Sequence, residues 1–103
     1  MNLSIVNLDL KKILMAKKRR KLNKDFEKKI YSSKKNVELV LAKIYDIDDE
    51  DIQKEYMSAF NRVVYFYDQL KEDYELTGFN DNSQELLNKY HNAFNLFESE
   101  FEI

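Results

Sequence analysis

The chain has no cysteine, no proline, no tryptophan and a single glycine, Gly78, in 103 residues. Without cysteine there is neither a disulfide framework nor a thiolate nucleophile, and a zinc ion would depend on one histidine plus carboxylates. Without proline, and with one glycine, turns are few, so helices must be long and few, and strands are not expected. No run of about 18 apolar residues is present to span a bilayer, and the first residues lack the charged, apolar and small-residue regions of a secretory signal. The expected location is therefore the cytoplasm. Also missing are the Glu-x-x-His and His-x-x-x-His pairs, the Gly-x-Ser-x-Gly elbow, the phosphate-binding glycine loop and the dinucleotide fingerprint. Together these absences argue against an enzyme and against any bound cofactor or metal.

What is present is helical periodicity. Ile52, Tyr56, Ala59, Phe60, Val63, Phe66, Tyr67, Leu70 and Tyr74 recur at steps of three and four, which keeps them on one helix face. Phe60, Val63, Phe66 and Leu70 are the expected core of that face. After Gly78 the stretch Phe79–Ser83 reads F-N-D-N-S, a loop. Leu87, Tyr90, Phe94, Phe97 and Phe101 then repeat the same spacing. Asn82 or Ser83 is the expected cap of that last helix, and Gly78 the left-handed C-terminal cap of the one before.

Upstream, the apolar set Leu22, Phe26, Ile30, Val37, Val40, Leu41 and Ile44 forms another stripe. A separate stripe, Leu3, Val6, Leu10, Ile13 and Leu14, falls about half a turn away from it at 100° per residue. One straight helix cannot bury both against one core. Either the chain breaks near Leu22, with Asn23 as N-cap and Asp25 and Glu27 in the new first turn, or an unbroken helix of about 40 residues turns its first third toward another molecule. Both versions stand at this point. The acidic run from Asp46 to Asp51 separates this helix from the central one and offers Asp48 or Asp46 as a cap. Its EF-hand register fails, because Asp51 stands where glycine makes the sharp turn and Met57 where a bidentate glutamate belongs.

These elements define an all-α fold: an antiparallel bundle of three long helices, the first open to a break near Leu22, with coiled-coil-like packing. It is read as one helical domain over 1–103, with a basic amphipathic segment over 1–22 and a bundle core over 23–103.

The net charge of −2 conceals an asymmetry. Residues 1–45 carry thirteen Lys/Arg against four Asp/Glu, whereas residues 46–103 carry four against fifteen. Such a split fits an anionic partner or an oppositely charged surface within an assembly. The expected function is that of a non-catalytic protein–protein interaction module that regulates, inhibits or chaperones a protein partner. Leu3, Val6, Leu10, Ile13 and Leu14 are its expected contact, most simply in a homodimer. Tyr65 and Leu96, on the outer faces of their helices, are lesser candidates. The alternative is a nucleic-acid-binding factor that uses the basic face from Lys11 to Lys35, with Lys17, Lys18, Arg19, Arg20, Lys21, Lys24 and Lys28 on the phosphates. An anionic membrane surface is a third, weaker match to the same cations. His91, the one imidazole, has no metal-binding or catalytic neighbour three or four residues away.

Overall fold

The computed structural model describes residues 21–103, and within them three α-helices run in sequence. They are α1 (Lys24–Tyr45), α2 (Glu50–Thr77) and α3 (Ser83–Glu100). Loops of four and five residues join them, so each helix is antiparallel to the next. The loop after Tyr45 marks the upper end of the bundle, and Gly78 the lower end. α1 and α3 both pack on α2, while their own backbones stay more than 8 Å apart throughout.

α1 begins where its sequence allows. Asn23 has extended dihedrals, and its Oδ1 accepts from the Phe26 N–H at 3.0 Å, while Asp25 and Glu27 occupy the positive end of the helix dipole. Lys21 and Leu22 precede the helix; Phe79 N–H donates to the Lys21 carbonyl at 2.7 Å in an isolated parallel bridge between Lys21 and Gly78. The chain therefore breaks at Leu22, and the unbroken 40-residue helix is ruled out. Leu22 itself is 60% exposed rather than part of the α1 stripe, because it lies in this turn, ahead of the helix. Tyr74 holds the turn in place: its hydroxyl donates to Glu27 Oε1 at 2.7 Å and accepts from the Asn23 N–H at 3.0 Å.

The cap of α2 is Asp49, not Asp48 or Asp46. Its Oδ1 accepts from the N–H groups of Asp51 and Ile52 at 2.9 and 3.1 Å. The helix begins one residue later than an Asp48 cap would require, and a side-chain oxygen reaches only two or three residues ahead. Gln53 Nε2 reaches back to the carbonyls of Ile44 and Tyr45, each at 3.2 Å, and so satisfies the end of α1.

Gly78 ends α2 with φ 71° and ψ −159°. That is not the left-handed helical conformation expected of it but an extended mirror-image region open to glycine almost alone. At α3, Asn82 makes no side-chain cap bond. Asn80 does the work of ordering: its Oδ1 accepts from Asn82 N–H at 2.7 Å, and its own N–H donates to Ser83 Oγ at 3.0 Å. Asn80 Nδ2 lies within 3.0 Å of Asp73 Oδ2, Thr77 Oγ1 and the Gly78 carbonyl. Ser83 is thus a buried loop-closing residue rather than an N-cap.

The core contains Phe26, Val37, Val40 and Ile44 from α1, Phe60, Val63, Tyr67, Leu70 and Tyr74 from α2, and Leu87, Tyr90, Ala93 and Phe97 from α3. Phe66 is only half-buried, with the Arg62 guanidinium 5.8 Å from its ring centroid, and Tyr67 takes the core position beside it. Ile52, one turn above the last aromatic pairing of α2 with α3, is exposed. The upper core is aromatic: Phe60 meets Phe97 at 4.8 Å between ring centroids, and Tyr56 meets Phe101 at 4.8 Å, both edge-on. No described helix is long and apolar enough to cross a membrane.

Candidate protein-docking groove

The separation of α1 from α3 leaves a groove along that flank of the bundle. On α1 its wall is Asn36, Leu39, Val40 and Lys43; on α3 it is Phe94, Phe97 and Glu98, continued beyond the helix by Phe101, Glu102 and Ile103. The upper part holds about 530 Å³. A side chain reaches this groove from α1 only at positions three or four apart, and Asn36, Leu39, Val40 and Lys43 have that spacing. Leu39 is 57% exposed and Ile103 43%, while Phe94 and Phe101 are partly covered. The groove is thus of mixed character: Leu39, Val40, Phe94, Phe97, Phe101 and Ile103 share its lining with Asn36, Lys43, Glu98 and Glu102.

Below Asn36 the groove changes character. Lys28, Lys29, Ser32 and Ser33 of α1 face His91 of α3 around a smaller hollow of about 200 Å³. Its floor is tied across: Tyr90 hydroxyl donates to the Ser33 carbonyl at 3.3 Å, a direct polar link between α1 and α3. Burial pushes the Tyr90 phenol above its ordinary pKa, and burial, with the nearby Asp68, Glu38 and Glu75 carboxylates, does the same for Tyr67. Both phenols are neutral packing groups at physiological pH.

The basic residues divide between the two sides of the sequence boundary at 21. Lys21, Lys24 and Lys28 are exposed. Lys24, Lys28, Tyr31 and Lys35 follow one another at helical spacing, all exposed, with Lys35 Nζ 5.2 Å from the Tyr31 ring centroid. Lys17, Lys18, Arg19 and Arg20 lie outside the described residues, as do Leu3, Val6, Leu10, Ile13 and Leu14. Tyr65 and Leu96 are exposed; Tyr65 is edge-on to Phe66 at 5.4 Å, and Phe66 and Leu96 line one shallow hollow. Among the described residues no group of three or more His, Asp or Glu is arranged to hold a metal ion. Asp49 spends its carboxylate on the α2 cap.

The groove was not foreseen from the sequence. Leu39 is one apolar residue beside a run of others, and the spacing of α3 assigns Phe94 and Phe101 wholly to the core. The readable signal was Ile103 and Leu39 lying off their stripes. Set against known protein families, curated proteins and solved structures, the chain matches none. Its function is thus argued from its own surface.

Proposed function

We propose that the protein is a non-catalytic protein–protein interaction module that regulates, inhibits or chaperones a partner by receiving a helix of that partner in the groove between α1 and α3. The observation that supports this reading is the set of exposed and half-covered apolar side chains in the groove, Leu39 on one side and Phe94, Phe101 and Ile103 on the other. An amphipathic helix laid between two helices buries its apolar face against both, a recurrent mode of peptide recognition. Glu98 and Glu102 favour a helix whose flanks are basic. The test is cross-linking capture from the native cell with the full chain, comparing wild type with Leu39→Asp. Leu39 is exposed, so the substitution should cost little beyond the lower helix propensity of Asp, about 0.5 kcal/mol. A defined protein partner that is lost with Leu39→Asp and kept after nuclease treatment is expected; capture indifferent to Leu39→Asp counts against the groove.

A second reading has its own observation. Lys24, Lys28, Tyr31 and Lys35 form an exposed stripe of cations around one aromatic ring, a surface suited to a nucleic-acid backbone. In the same experiment, capture abolished by nuclease and by raised salt, but unchanged by Leu39→Asp, is its signature.

A further inference from the structure

α1 and α3 run in the same direction, so both bring their negative dipole ends to the top of the groove. The exposed side chains add to that polarity. Glu98 and Glu102 line the top, with Lys43 on the α1 wall, whereas Lys28 and Lys29 line the bottom opposite His91. Beside the top, the acidic run that leads into α2 contributes the exposed Asp46, Asp48, Glu50 and Asp51. The ion pairs found among the described residues use none of these groups. Apolar character is graded along the same axis: Leu39, Phe94, Phe101 and Ile103 belong to the upper hollow, Ser32 and Ser33 to the lower, and Asn36 lines both. From Lys28 to Lys43 the groove runs about 22 Å, or about four turns of helix.

We propose that the groove selects the direction of its partner helix: the helix lies antiparallel to α1 and α3 with its N-terminus at the top, carrying apolar side chains and Lys or Arg in its first half and Asp or Glu in its second. This inference rests on the reading of the groove as the partner site and specifies what fills it. In that direction the positive dipole end of the partner meets the negative ends of α1 and α3, its cations meet Glu98 and Glu102, and its carboxylates meet Lys28 and Lys29. Turned around, the same helix sets like charge against like, and its apolar half faces Ser32 and Ser33 instead of Leu39 and Phe94. Lys43 adds a finer rule: the cations belong on the flank that faces α3, and a neutral or acidic residue on the flank that faces α1. The charges of such a helix oppose its own dipole, so it is weakly helical alone and folds as it binds.

The probes are two fluorescent amphipathic peptides of about four turns, equal in composition and in the placing of their apolar residues. One has lysines in its first half and glutamates in its second; in the other these charges are exchanged. The second peptide is the better helix in isolation, so intrinsic helicity cannot produce the expected preference. Anisotropy titrations with the full chain are expected to show the first peptide binding at least about tenfold more tightly, a gap that narrows as salt is raised. Glu98→Lys with Glu102→Lys, both exposed positions, should close the gap at unchanged helix content, whereas Leu39→Asp should weaken both peptides alike. Equal affinities, or a preference that Glu98→Lys with Glu102→Lys leaves intact, overturn the directional rule; if Leu39→Asp then abolishes both, the groove still stands as a helix site. No binding by a chain that sediments as a dimer, dispersed by Leu39→Asp, gives the groove to a second copy. No binding by a monomeric chain overturns the groove reading and the directional rule together.

Discussion

Phe60 and Phe66 belong to one helical stripe by spacing, yet they differ in what surrounds them. Phe60 is fully buried among Phe94 and Phe97, whereas Phe66 is half-covered by Arg62 and Tyr65. Truncation removes transfer energy and leaves a cavity only where neighbours close around the site. Phe60→Ala should therefore cost about 3–5 kcal/mol, and Phe66→Ala, at the margin, about 1–2 kcal/mol. Denaturant titrations with unchanged slope measure both, and equal losses would contradict the assigned face. The sequence places the stripe correctly but not its edge. At about 100° per residue Phe66 lies some 80° from the centre of the buried set, a position whose burial depends on whether a neighbouring helix reaches it. Ser33 and Ser83 are the opposite case, polar residues that are buried because one bonds to the Lys29 carbonyl and the other receives the Asn80 N–H. Nothing in their type announces this.

At the scale of elements, the ends of helices were less legible than their existence. Asn23 is identifiable as a cap because Asp25 and Glu27 behind it suit the first turn of the helix it opens. In the acidic run, Asp46, Asp48 and Asp49 are chemically equivalent, and the choice among them is made by where α2 can begin while Gln53 still reaches the end of α1. The lower turn is more demanding. Gly78 is buried, holds φ at 71°, and lies in a bridge with Lys21 while Asn80 bonds to its carbonyl. A Cβ at that position would strain the backbone, so Gly78→Ala should cost about 1–3 kcal/mol. Since the same turn seats Lys21, the substitution should also loosen the entry to α1. Urea unfolding checks the first effect, and a loss under about 0.5 kcal/mol, the range of an ordinary surface change, would show that the turn relaxes freely.

At the scale of the molecule, the ion pairs shown among the described residues do not link one helix to another. The ion pairs found among the described residues, Lys34 with Glu38 at 3.9 Å and Lys89 with Glu85 at 3.5 Å, are both exposed pairs one turn apart on a single helix, worth a few tenths of a kcal/mol. These two pairs do not draw on the opposition between a basic first half and an acidic second half. That asymmetry, and the three helices, were readable from the sequence. The groove was not, because it arises from how far apart two helices are held, and no local pattern encodes a distance.

That distance also divides the fold into units of unequal independence. Tyr56, Phe60 and Tyr67 of α2 interlock with Tyr90, Phe94 and Phe97 of α3 and with Phe101 just after it, whereas among the described residues the ring pairing shown between α1 and α2 is that of Phe26 with Tyr74. The molecule should then breathe by lifting α1 from an intact α2–α3 hairpin. Native-state hydrogen exchange would register this as a common, lower opening free energy for the central amides of α1, with those of α2 and α3 released only on global unfolding. One shared value for all three helices would mean a single cooperative unit.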